Sequence, residues 1–115
     1  MRQLNRQAVF FTPTQAFMDM LAEIDGECFE APDARENDSS EVYLIPGEFD
    51  FPEQALEAIA ANYEFLFENL MSSWYEDESR WPQDVTWEKF QEYFTISIQS
   101  MVFDVVPEKE IYEEE

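Results

Sequence analysis

Carboxylates are the reactive inventory of this chain. Asp19/Glu23, Glu53/Glu57, Glu64/Glu68 and Glu88/Glu92 each stand four residues apart, and Glu76-Asp77-Glu78 is an unbroken run. Two acids flanking one bond can cleave a glycoside, and oxygen ligands can gather a divalent cation. With 27 Asp and Glu, however, some pair always falls at a workable distance, so pairing carries no signal here. Asp33 to Glu41 (DARENDSSE) has oxygen ligands but lacks the central glycine and the ligand spacing of a calcium loop. The chain has no histidine, which removes the Ser-His-Asp and Cys-His arrangements and the commonest general base. Its two glycines, Gly26 and Gly47, cannot build a phosphate cradle. Cys28 is the single cysteine, so it forms neither an internal disulfide nor a thiolate cluster. No cation stands beside it in the sequence to activate it, and it reads as a small buried or half-buried side chain. The expectation is a non-enzyme, with no catalytic residue, no metal and no cofactor.

A second feature is the segment Ser72 to Phe90, SSWYEDESRWPQDVTWEKF. Trp74, Trp81 and Trp87 stand there among Glu76, Asp77, Glu78, Asp84 and Glu88. Such tryptophans either form a local core under a loop, the more usual arrangement, or present apolar anchors ringed by acids, as binding hot spots do. Trp74 is expected in the core. Trp81, before Pro82, is expected in an extended connection folding back over helix ends, and Trp87 at the start of a helix is free to face outward.

The charge decides what partner such anchors would meet. Six Lys and Arg leave a net charge of −21 and a pI near 4.1. Self-repulsion of that size opposes compaction, whereas solubility alone needs a net charge of only about 2–8. Nucleic acid and anionic membrane are polyanions and are excluded as direct partners. A basic protein surface is the complement. A compact chain of this length spans about 35 Å, and duplex DNA of that length carries roughly 20 phosphates.

The elements that must position these residues are legible from pattern. At 115 residues the chain is expected to be a single domain, 1–115. An apolar fraction of 45% and an aromatic fraction of 17% supply a core without disulfide or metal. Gln7 to Phe11 reads as a strand. Thr12 is the expected N-cap of a first helix, with Pro13 at N1 and Gln15 completing a capping box; Phe17, Leu21 and Ile24 form its buried stripe and Gly26 ends it. Residues 30–40 read as an exposed loop, and Glu41 to Ile45 as a second strand closed by Pro46-Gly47. Asp50 is the expected cap of one long helix reaching about Trp74, with Leu56, Ile59, Tyr63, Leu66, Leu70 and Trp74 inward and Glu53, Glu57, Glu64 and Glu68 largely outward. Thr86 caps a short third helix, about 87–94, with Val85 and Phe90 as a hydrophobic staple. Glu88/Glu92 is a like-charge pair that no interleaved lysine is expected to relieve. Thr95 to Val106 is the last strand, slipping parity at Gln99-Ser100 as a bulge would make it, so that Ile96 and Ile98 share one parity and Met101, Phe103 and Val105 the other. Residues 107–115 form a frayed acidic tail. The fold class is therefore α+β: a small, mainly antiparallel three-stranded sheet covered by one long and two shorter helices, in the order β-α-β-α-α-β.

In composition and size the chain resembles small DNA-mimic inhibitors and acidic nuclease-immunity proteins, a resemblance of class that carries no motif. It implies occupation of the cationic surface of a nucleic-acid-binding or nuclease-like protein. Glu53, Glu57, Glu64, Glu68, Glu76, Asp77, Glu78, Glu88 and Glu92 would stand in for phosphates, with Trp81 and Trp87 adding contact area. The alternative is a housekeeping or assembly module whose acidity serves solubility or a high-salt cytoplasm. No apolar run is long enough for a signal peptide or a membrane span, so a cytoplasmic location is expected. Monomer and dimer stay open.

Overall fold

A computed structural model describes residues 1–26, 41–48 and 51–113. The expected loop at 30–40, Cys28, most of the DARENDSSE segment and the expected Asp50 cap lie outside them. The fold is α+β. Its elements are β1 (Arg2–Gln3), β2 (Arg6–Pro13), α1 (Gln15–Asp25), β3 (Tyr43–Pro46), α2 (Pro52–Ala60), α3 (Tyr63–Trp74), a 3-10 turn (Glu78–Arg80), α4 (Trp87–Tyr93), β4 (Phe94–Gln99) and β5 (Phe103–Asp104).

β2 is the central strand of a three-stranded antiparallel sheet, order β3-β2-β4. The pleat sends Val9 and Phe11 inward opposite Ile98 and Ile96. There they meet Phe17, Met18 and Leu21 of α1, Ile59 of α2, Phe67, Leu70 and Met71 of α3, and Phe90 of α4 in one core. Aromatic rings dominate it, several meeting edge to face: Phe11 lies 5.5 Å from both Tyr43 and Phe90, at interplanar angles near perpendicular. That geometry sets ring edges against negative ring faces.

β3 begins at Tyr43 rather than Glu41 and takes in Pro46, and three larger differences from the sequence reading concern the start of α1, the long helix and the last strand. β2 runs on through Thr12 and Pro13, which pair with Thr95 and Phe94. The α1 cap therefore falls on Thr14, whose hydroxyl accepts from the Phe17 N–H. Thr14 also donates its N–H to the Tyr93 carbonyl at 2.8 Å and its hydroxyl to the Glu92 carbonyl, so one residue starts α1 and satisfies the end of α4. Gly26 closes α1 at φ 84°, as its place after the stripe requires.

The expected long helix is two helices. At Asn62 (φ −125°, ψ 11°) the side-chain amide donates to the Ala58 carbonyl at 2.9 Å, taking the acceptor that a continuing helix would give to the backbone. The Asn62 N–H turns to Ile59 instead, in a tighter 3-10 step. Beyond the break the inward face moves to Phe67, Leu70 and Met71, leaving Phe65 73% and Trp74 45% exposed. Trp74 is thus half out of the core, its ring 5.9 Å from Phe17. Leu56, expected inward, is 40% exposed, and Ala55 takes its place.

The last strand also divides. β4 ends at Gln99, and β5 pairs with β1 rather than with β2. Between the Gln3↔Phe103 and Ala8↔Gln99 pairs, Leu4 to Gln7 oppose only Ser100 to Val102. The extra residue lies on the N-terminal side, not at Gln99-Ser100. Parity along the C-terminal side is kept, so Val102 and Asp104 follow Ile96 and Ile98 in being the more covered set, while Met101, Phe103 and Val105 are exposed. The molecule measures 47 × 30 × 27 Å. Among the described residues, no helix is long and apolar enough to cross a membrane.

Candidate functional site

The connection from Tyr75 to Thr86 is built around Trp81. Asp77 accepts from the N–H and hydroxyl of Ser79, fixing the 3-10 turn. That turn delivers Trp81 at ψ 148°, the extended conformation required before Pro82. The indole N–H donates to the Tyr75 carbonyl at 2.8 Å, and the Trp81 carbonyl accepts from Gln83 at 3.0 Å. Trp81 is therefore held half-buried against the core rather than swinging freely.

Between this connection and α3 run two adjoining grooves of about 470 and 460 Å³. The first has Tyr63, Phe67, Trp81 and Val85 in its walls together with Glu64, Glu68 and Asp84. The second adds Phe65 and Glu78, and the two share Glu68, Trp81 and Gln83. Among the described residues, no lysine or arginine lines either groove. Asp84 sits in the left-handed region at φ 56°, which Asp tolerates better than most residues.

The structure sorts the expected site residues into separate places. Glu64, Glu68, Glu78 and Trp81 converge on the grooves. Glu88 lies near that wall: with Glu64 it helps to raise the Tyr63 pKa, after the larger effect of partial desolvation. Trp87 does not line the grooves. It stacks on Phe90 with centroids 5.7 Å apart and tilts against Tyr63, so most of its expected outward role gives way to packing. Glu92 belongs elsewhere, paired with Lys89 at 3.2 Å on the side where Glu23 of α1 also acts on that lysine. Lys89 thus relieves the Glu88/Glu92 pair, contrary to expectation. Glu53 and Glu57 sit exposed on α2, which packs against β3, whereas α3 packs against α4. The helix break therefore removes the single row that would have joined them to Glu64 and Glu68. Glu76 is exposed in the connection, and Asp77 is occupied by the turn.

Phe65 is a groove residue that the sequence reading does not name, and Tyr63 and Asp84 are ones it names only as part of the inward stripe and as an acid near the tryptophans. Asp84, next to the Trp81-Pro82 signal, was within reach of it. Phe65 was hidden by the assumption of one continuous helix. A polar network that includes Asn69, a lining residue of the second groove, ties β3 to α3. Tyr43 donates to Glu41 at 2.6 Å and accepts from Asn69 at 2.8 Å, and Ser73 donates to Glu41. Burial first, and the Glu41 hydrogen bond next, push the Tyr43 phenol up to about 12.

Among the described residues, no group of three or more His, Cys, Asp or Glu is placed to hold a metal ion. The groove carboxylates line a channel instead of closing on a point. No protein-family model, curated protein or solved structure matches this chain significantly.

Proposed function

We propose that this chain is a non-enzymatic acidic binding protein that occupies the cationic surface of a basic partner, nucleic-acid-binding or nuclease-like, and so competes with nucleic acid there. One observation carries the reading: two adjoining aromatic-walled grooves bear Glu64, Glu68, Glu78 and Asp84, with no cation among the described residues that line them, on a chain of net charge −21. Opposite charge would speed encounter, and a fixed aromatic would add contact area after it. A cytoplasmic site of action goes with this reading. It predicts that one basic protein from the source cell is retained stoichiometrically at low salt and reduced at about 0.5 M salt, where exposed charges are largely screened. Added duplex DNA should release the same protein. A diffuse crowd of basic proteins, all lost together, would reduce the charge to a non-specific exchanger and end the proposal.

A second reading, an assembly module whose acidity serves solubility, draws on the exposed Met101, Phe103 and Val105. It predicts a larger complex that survives high salt, because apolar contacts are not screened.

A further inference from the structure

We infer that the groove between α3 and the 75–86 connection seats an arginine-bearing segment of the partner, its guanidinium groups entering beside Trp81 and held by the carboxylates of Glu64, Glu68, Glu78 and Asp84. This rests on the acidic-binder reading and adds to it the place and the side chain recognised.

Shape and chemistry agree on that occupant. Each groove is large enough for more than one long side chain, and their shared residues make a continuous path. The large apolar groups along it are mostly rings: Tyr63, Phe65, Phe67 and Trp81. A cation over a ring face is attracted by the ring quadrupole. Among the described residues no cation lines the path: Arg80 donates to the Tyr75 hydroxyl at 3.3 Å and Lys89 pairs with Glu92. Negative charge in the groove is therefore left for an incoming group. The bond from the Trp81 indole to Tyr75 sets that ring before binding, which spares the ordering that a free side chain would require.

Arginine fits better than lysine. Its guanidinium is planar, weakly hydrated, stacks on aromatic rings and bonds a carboxylate through two parallel N–H groups. An ammonium ion is a strongly hydrated point charge with neither property. A divalent cation is a poorer occupant, since the acids are not gathered as a ligand set. A second copy of the chain would bring another −21.

The test uses the intact protein and two short synthetic peptides, identical glycine–serine chains carrying several arginines or the same number of lysines. Binding is read by calorimetry and by tryptophan fluorescence at low salt. The arginine peptide should bind about five-fold tighter or better, the margin expected of bidentate, stacked contacts over point charges. Glu68→Gln should weaken it about five-fold or more, whereas Glu53→Gln or Glu57→Gln, which change the net charge equally, should alter it less than about two-fold. Asp84→Gly removes a carboxylate from a left-handed position, so it should weaken binding while leaving thermal stability nearly unchanged, which separates lost contact from lost folding. Equal affinity for both peptides, with groove and α2 variants losing equally, would overturn the groove and leave the acidic-binder reading standing. Binding of neither peptide at low salt would remove both.

Discussion

Single residues set the tolerances of this fold, and glycine shows it most plainly. Gly47 follows β3 where its N–H reaches the Asn5 carbonyl, and a Cβ there would lie 2.8 Å from backbone atoms of Asn5 and Arg6. No side chain can rotate away to admit it, so the backbone itself must shift. Gly47→Ala should destabilise by about 1–3 kcal/mol in urea unfolding, as overpacking does. Gly26 is the reverse case, with open space around its Cβ position but φ 84°. Only the left-handed backbone resists a side chain there, and Gly26→Asn should be tolerated better than Gly26→Val. Tyr43 adds a pH dependence. Its folded pKa, about 12, lies above the ordinary 10, so the folded state keeps a proton that the unfolded chain releases. The stabilisation is fully present below pH 10 and is lost as pH rises from 10 through about 12. Alkaline unfolding should therefore have a component in that window that Tyr43→Phe removes. An unfolding profile unchanged by the substitution would show that the network contributes nothing.

At the scale of elements, the instructive feature is the break between α2 and α3. Two causes coincide there: the Asn62 amide takes the Ala58 carbonyl, and beyond it Phe67, Leu70 and Met71 turn into the core. Packing of buried large side chains is worth several kcal/mol, the amide bond about 1. Packing should dominate. Asn62→Ala is expected to keep the break, visible in backbone chemical shifts, and to change stability by less than about 1 kcal/mol, since better helix propensity offsets the lost bond. A gain well beyond that, with higher helix content, would show that the cap was imposing the break.

The same element explains what the sequence disclosed. Capped and stopped features were readable: Thr86 before α4, Gly26 after α1, and Trp81 extended before Pro82. The break was not, because Leu56 to Trp74 satisfies helical spacing throughout, and a single Asn62 of modest helix propensity does not by itself distinguish a stripe that turns from one that continues. The division of the last strand was also hidden. Its cause is an extra residue on the facing N-terminal segment, and a one-residue offset decides which parity faces inward. Half of the candidate site was legible: Glu64 and Glu68 from helical spacing, Glu78 from the acidic run and Trp81 from the proline after it, but their separation from Glu53, Glu57 and Glu92 depends on how helices pack.

The whole molecule carries its charge over a longer body than its length implies. Duplex DNA of 47 Å, the longest dimension, carries about 28 phosphates, more than the net 21 negative charges of the chain. Imitation of a duplex along the full length is therefore incomplete, and a local groove is the stronger basis for recognition. Global repulsion remains, and only two ion pairs, Arg2–Asp104 and Lys89–Glu92, are formed among the described residues. Screening should then act on the fold directly. The Debye length falls from about 30 Å at 0.01 M salt to about 3 Å at 1 M, from the breadth of the molecule to that of a single contact. The melting temperature should rise steadily over that range in sodium chloride. Sodium sulfate also strengthens apolar burial, so chloride is the cleaner probe of charge. A chain unfolded at low salt and folded only near molar salt would favour acidity as an adaptation to a salty interior. A fold that is already stable at 0.01 M and gains modestly would leave the excess charge available for a partner. A melting temperature indifferent to salt would mean that repulsion does not limit this fold.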